Sequence, residues 1–256
     1  MLVPRVRREV VTDGNGVLAA EPPPMKDRLK DGGRFRLPDD CRRLVIVGAG
    51  GFGREVLQWA RDAWPELAHR RVGFLSDDLQ RLDGFSVHAD ILGPVRGHAP
   101  AAGDYHVLGI GVAYVRRAIA ESLQAAGASF VTLVHPRAVV ADNARVGAGS
   151  VVCPGGVLSD SSEIGSCVLV NYHASLGHDA RAGDYCVLSP YATLGGNASI
   201  AEDVFLGLHA SVGPGRRVGA RSKVSANSCV LADTPADALV FGVPGRVSMR
   251  IDVGGA

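Results

Sequence analysis

The sequence predicts a small α/β domain with a parallel sheet, followed by a parallel β-helix. Three observations lead there. From Val134 to Val230 an aliphatic residue or alanine recurs at every sixth position without a slip, passing through Val152, Leu158, Ile164, Val170, Leu176, Ala182, Leu188, Leu194 and Ile200. The next residue is often glycine, as at Gly147, Gly165, Gly177, Gly195 and Gly207, and the fourth residue on is usually small, as at Ala144, Ser150, Ala174 and Ala198. Upstream, the apolar run Arg43 to Val47 passes at once into Gly48-Ala49-Gly50-Gly51-Phe52-Gly53 and then into a helical pattern.

A period of six fits neither the helical 3.6 nor the strand alternation of two. It fits short strands laid on the faces of a prism. Each hexad then supplies one inward aliphatic, one glycine at the corner and one small residue inside. Three hexads complete one turn of a triangular prism, so the span makes a little over five coils, roughly 25 Å tall at the interstrand spacing. An aromatic share of 5% suits an interior too narrow for rings.

Taken in order, residues 1–41 mix Arg, Pro, Gly and Asp and include Glu21-Pro22-Pro23-Pro24, which predicts a flexible extension. Residues 42–132 form the α/β domain. There, Phe52 to about Ala63 is helical with Val56, Leu57, Ala60 and Ala63 inward, and a strand Arg71 to Leu75 runs into Ser76-Asp77-Asp78. Tyr105 to Ile110 reads as a strand, Tyr114 to Ala126 as a helix with Val115, Ala118, Ile119 and Leu123 inward, and Ser129 to Val134 as a last strand feeding the coils. Residues 133–233 are the β-helix. The period breaks after Asp233-Thr234-Pro235 and leaves a tail, 234–256, containing Phe241-Gly242-Val243-Pro244-Gly245-Arg246.

A chain of 256 residues supports a core in each part. A net charge of +1 gives no electrostatic reason for a nucleic-acid or membrane partner. The five cysteines are scattered, which suits a reducing cytoplasm better than a disulfide framework or a zinc knuckle. Cys167 and Cys186 read as small buried residues of the coils. No apolar run reaches membrane length, and the first residues lack a signal-peptide pattern.

Two stretches carry chemistry. Gly48, Gly50 and Gly53 satisfy G-x-G-x-x-G between a strand and a helix, with Asp77 and Asp78 at the end of the next strand. Backbone N–H groups at a helix start favour anions, and glycine lets a phosphate come close. The same glycines would also serve tight strand–helix packing. The domain is short for a dinucleotide, so the favoured ligand is a mononucleotide or a nucleotide-sugar. The second stretch is Asn171-Tyr172-His173-Ala174-Ser175-Leu176-Gly177-His178-Asp179. An inward Leu176 puts Gly177 and His178 on the following corner, with His178 outward, able to remove a proton near neutral pH and flanked by Asp179, which could orient it. An exposed histidine without a role is the bland alternative. A rival is a metal site: His173 and His178 are five apart, with His209 or His135 as a third ligand. That spacing is similar to the γ-class carbonic anhydrases, but their third ligand would fall near Arg137.

The glycine turn, Phe74-Leu75-Ser76-Asp77-Asp78, Asn171, His178-Asp179, Gly195-Gly196-Asn197 and the closing Gly-Val-Pro-Gly-Arg together resemble the bacterial sugar acyltransferases of the PglD/NeuD type over about residues 43–248. The resemblance implies coils wound left-handed, a homotrimer, acetyl-CoA in the groove between neighbouring β-helices, and a nucleotide-linked amino sugar held by the N-terminal domain through Gly48, Gly50, Gly51, Gly53, Asp77 and Asp78. It implies His178 as general base, Asp179 as its acidic neighbour, and the Gly196 N–H as the oxyanion donor. Asn171 and Leu208 would lie near the acceptor and the pantetheine arm, and Gly242 to Arg246 would border the CoA. Several members carry a second histidine nine residues after the base, where this chain has Val187. The implied activity is acetyl-CoA-dependent N-acetylation without a metal. The alternatives are O-acetylation of a sugar, a carbonic-anhydrase-like metalloenzyme, and a non-catalytic nucleotide-sugar-binding scaffold.

Overall fold

The computed structural model describes residues 35–249. Most of the predicted extension and the end of the tail lie outside the described residues. The α/β part runs β1 (Arg43–Val47), α1 (Gly51–Ala63), a 3-10 turn (Pro65–His69), β2 (Arg71–Leu75), β3 (Asp90–Gly93), β4 (Asp104–Leu108), α2 (Ala113–Ala125) and β5 (Ser129–Phe130). Its five strands are all parallel in the order β3-β2-β1-β4-β5. The central strand β1 is apolar from Leu44 to Val47 because it is covered on both faces, and those residues are fully buried.

Two sequence expectations are corrected here. The stretch Ser129 to Val134 is two strands: β5 completes the α/β sheet, and β6 (Leu133–Val134) pairs with Val151–Val152 and opens the first coil. Helix α2 buries Ala113, Arg116, Ala120 and Leu123, whereas Ala118 is exposed. An arginine at an inward position turned the expected face aside.

Seventeen two-residue strands, β6 to β22 (Cys229–Val230), build a left-handed β-helix with three faces. Partners lie eighteen residues apart, as in Leu158 on Leu176 and Leu176 on Leu194. The second residue of each strand points in, and from Val152 onward these positions are all buried. Burial of such an aliphatic side chain contributes about 1.5–3 kcal/mol. The stacking does not stop at Asp233. Thr234 still bridges Val218, and β23 (Ala238–Phe241) stacks on Lys223–Val224, but Lys223 pairs with Leu239, so the last coil is two residues short. An antiparallel strand, β24 (Arg246–Met249), then caps that face.

The three faces differ in what they present. On the first, the outward Leu133, Val151, Leu169 and Val187 are buried and share one apolar cluster with Val56, Trp59, Trp64 and Phe74 of the α/β part. The domain is therefore seated on that face. At the bottom corner His135 Nε2 meets Asp62 at 3.2 Å, and Arg117 of α2 pairs with Asp203. The second face carries Val139, Val157, Ser175, Thr193, Ser211 and Cys229, without a charge. The third carries Arg145, Glu163, Arg181, Ser199 and Arg217, with Glu163 between Arg145 at 3.5 Å and Arg181 at 3.8 Å.

One contact of the α/β core is sensitive to acid. His106, fully buried on β4, donates from Nδ1 to the Ser129 carbonyl at 3.2 Å, so its Nε2 accepts from His98 Nε2, also 3.2 Å away. Burial pushes both imidazoles below the usual histidine value, with Asp104 and Arg43 the nearby charges. A histidine held neutral contributes stability above its ordinary value near 6.5, and the contribution is lost as the pH falls below that point. Proton uptake would place two N–H groups against each other. The urea midpoint is expected to drop between pH 7 and pH 5, and to drop less in His98→Ala. An equal drop in the variant would remove this pair as the cause.

Candidate functional site

The glycine turn closes on itself without room to spare. Gly48 has φ +102°, and a Cβ on Gly53 would lie 1.9 Å from the Gly48 carbonyl oxygen. A Cβ on Gly109, in the loop after β4, would come within 2.8 Å of the Gly53 Cα. Gly48 and Gly53 are thus required by packing. Gly50 and Gly51 are different: Gly50 is the N-cap of α1, nothing lies within 4 Å of its added Cβ, and only Arg54 Nη2 lies near that of Gly51, at 3.9 Å. The first turn of α1 holds no acidic residue. Arg54 stacks on Phe85, 3.6 Å from the ring centroid. It brings a cation to the open side of the turn. The sequence reading missed it, although its place one turn into the helix was visible.

Asp77 and Asp78 lie on the loop beyond β2 and are exposed. Asp77 Oδ1 accepts the Val95 N–H at 2.9 Å, and Asp78 Oδ1 accepts the Gln80 N–H at 3.1 Å. Both carboxylates shape the loop.

His178 stands on the corner between Ser175–Leu176 and Arg181–Ala182 and is exposed, as the hexad register predicts. Its Nδ1 lies 2.9 Å from Asp179 Oδ2. A carboxylate only accepts, so Nδ1 carries a proton, and in the neutral ring the lone pair is then on Nε2. Asp179 itself sits at φ +59°, a left-handed corner conformation that Asp tolerates better than most residues. One coil above, Gly196 faces the ring: a Cβ there would be 2.4 Å from His178 Nε2. The corners are stitched together by Asn197 N–H to the His178 carbonyl at 2.8 Å. Among the described residues the Gly196 N–H makes no backbone hydrogen bond. The structure therefore brings together the His178 ring, the Asp179 carboxylate and the glycine backbone at 196.

The remaining predicted residues lie elsewhere. Asn171 and Leu208 occupy the opposite corner of the same uncharged face; Asn171 Oδ1 accepts the Tyr172 N–H at 2.8 Å, and Leu208 is 50% exposed. Above them the hairpin between β23 and β24 folds onto Cys229. Gly242, at φ +90°, donates its N–H to Ser228 Oγ at 2.9 Å, and Arg246 begins β24 with its side chain exposed. Val187 is buried on the first face, under the α/β domain. The site residues of one chain thus flank the second face from two corners.

The metal rival meets a different arrangement. His173 stacks on Tyr191 at 5.0 Å and Tyr191 on His209 at 4.7 Å, a ladder of rings on the Asn171 corner. His178 is across the face from it, and His135 is buried beside Asp62. Among the described residues no group of three His, Cys, Asp or Glu is placed to hold a metal. No helix among them is long and apolar enough to cross a membrane.

Comparison with known proteins places these features in context. The PglD N-terminal domain family matches residues 43–123. The chain is similar to the acetyltransferase domain of PglB from Neisseria gonorrhoeae FA1090, solved in complex with acetyl coenzyme A, at 30% identity over 81% of this chain and 99% of that one, with a TM-score of 0.71. It is similar to PerB from Caulobacter crescentus, solved with CoA and GDP-perosamine, at 29% identity over 80% of this chain and 96% of that one, with a TM-score of 0.70. WeeI from Acinetobacter baumannii AYE matches at 25% identity over 80% of this chain and 99% of that one, with a TM-score of 0.71. Among curated proteins no match was found.

Proposed function

The chain belongs to the PglD/NeuD-type family of bacterial sugar acyltransferases, and on that premise we propose that it moves the acetyl group of acetyl-CoA directly onto the amine of a nucleotide-linked amino sugar, with His178 as general base. It is an acyltransferase, and acetyl-CoA is its acyl donor. The observation that carries the finer reading is the His178–Gly196 pair, a free Nε2 against a backbone that no side chain shields.

In the proposed step the sugar nitrogen attacks the thioester carbonyl carbon, a C–N bond forms, and the carbonyl oxygen becomes an oxyanion facing the Gly196 N–H. His178 Nε2 takes the proton from the nitrogen as it attacks. Collapse of the tetrahedral centre breaks the C–S bond, and the same proton goes to the departing thiolate, giving CoA and the amide. Asp179 holds the imidazole in the tautomer this needs. Residues 42–132 would hold the nucleotide end at the Gly50–Gly51 opening with Asp77 and Asp78 on its rim, and Arg54 would face its phosphates. Leu208, Gly242 and Arg246 would line the path of the CoA, and Asn171 would meet the acceptor.

Those groups stand on two corners of one uncharged face, whereas the first face is covered and the third is laddered with charge. A neighbouring copy laid along the second face would bring its Asn171 corner to this chain's His178. This supports a homotrimer with the reaction between subunits, and a solution mass other than three chains would remove that part. The activity is tested with acetyl-CoA and a panel of nucleotide-linked amino and hydroxy sugars. Mass spectrometry is expected to find one acetyl added to an amino-sugar nucleotide with release of free thiol. Products on hydroxy acceptors alone would replace N- by O-acetylation, and no product on either would remove the reading.

A further inference from the structure

Among the described residues Arg116 is a cation without a counter-ion. Its side chain, on the first turn of α2, is fully buried. The groups it reaches are main-chain carbonyls: Nε donates to Cys167 at 2.6 Å, and Nη1 donates to Leu108 at 3.1 Å and Ile110 at 2.9 Å. Nη2 is buried with no hydrogen-bond partner among the described residues. Burial pulls the guanidinium down to about 10, so it stays charged at neutral pH. The neighbouring thiols Cys153 and Cys167 are pushed up by burial and stay neutral. A charge kept in such a place, with one donor orphaned, is poor value as a stabilising contact.

What the three carbonyls have in common is their position. Leu108 and Ile110 bracket Gly109, the residue wedged against Gly48 and Gly53 of the glycine turn, and the Gly109 N–H is tied to the Val47 carbonyl at 2.8 Å. Cys167 is a corner residue of the β-helix, at φ +55°, in the coil that leads into Ser175–Leu176 and His178. One planar group therefore clamps both sides of the wall behind the turn and pins that wall to the coils bearing the base.

We infer that Arg116 is a positioning residue for the nucleotide end of the substrate: it fixes the glycine turn relative to the β-helix, and so sets the distance over which a bound amino-sugar nucleotide presents its amine to His178. The inference rests on the function proposed above. Lysine carries the charge but has no planar fork to hold carbonyls in two directions at once.

The test uses the full chain with Arg116→Lys, Arg116→Met and Gly109→Ala, the last of which pushes the wall through a Cβ 2.8 Å from the Gly53 Cα and leaves the guanidinium in place. For each folded variant the KM for the amino-sugar nucleotide is expected to rise by about tenfold or more, since a misplacement of about 1 Å can cost up to about a hundredfold. The KM for acetyl-CoA should stay near wild type. Lysine should recover less than half of what methionine loses. If the Arg116 variants do not fold, Gly109→Ala decides. Folded variants whose nucleotide-sugar KM is unchanged, or whose two KM values rise together, overturn the inference. A wild-type protein that neither acetylates nor binds any amino-sugar nucleotide would instead overturn the proposed function.

Discussion

Replacing His178 by alanine is expected to lower kcat with acetyl-CoA and an amino-sugar nucleotide by about a hundredfold or more, the usual contribution of a placed general base. Thermal stability should be unchanged. The ring is exposed on a corner and hydrogen-bonds the adjacent Asp179, and the backbone bond from Asn197 uses the His178 carbonyl, which alanine keeps. The loss is therefore chemical. Glutamine, of similar length but unable to take the proton, should not restore turnover. Asp179→Asn removes the carboxylate at a left-handed corner that Asn also tolerates, and should cost less, about tenfold, since the base survives in a less fixed tautomer. Full turnover by His178→Ala would show that the proton leaves by another route.

The second large effect is expected from one added methyl group. In Gly196→Ala the new Cβ would lie 2.4 Å from His178 Nε2, inside any permitted contact. The backbone at 196 lies outside the left-handed region, so alanine fits the main chain, and the group struck is the far end of an exposed side chain. The imidazole can swing away at little cost to the fold. Doing so moves the ring away from Gly196, so on the proposed mechanism the base and the oxyanion donor no longer serve the same reacting centre. A loss of about a hundredfold to a thousandfold in kcat is expected, with the melting temperature within a few degrees of wild type. A kcat near wild type would mean that the reacting atoms do not lie between these two residues. Because both substitutions act on one assembly, the double variant should be little worse than either alone.

Much of this was legible in the sequence, for a physical reason. A prism with three faces demands one inward residue every six, so Leu176 fixes where Gly177 and His178 go before any coordinate is known. The glycine turn was legible because Gly48 and Gly53 have no alternative residue, given the 1.9 Å approach. What the period could not tell is which face would be covered. Val187, on the first face, and Ser175, on the second, occupy equivalent outward places in their hexads, yet one is buried by the α/β domain and the other flanks the open face. Docking of a separate domain leaves no mark in the repeat. Arg116 was invisible for the opposite reason, since an arginine in an amphipathic pattern is ordinarily assigned to solvent, and only the carbonyls of Leu108, Ile110 and the distant Cys167 explain it. The short last coil escaped notice because two missing residues abolish the period while the stacking continues.

That stacking makes chain length a discrete variable. Neighbouring layers pair eighteen residues apart, so a segment of eighteen gained or lost between Asn197 and Val230 returns every later side chain to its own face one storey higher or lower. A segment of six would turn the upper storeys by one face, and Leu208 with the Gly242–Arg246 hairpin would leave the side on which His178 works. The upper and lower halves of this protein behave like a combination lock whose dial has three positions, and the proposed chemistry requires one of them.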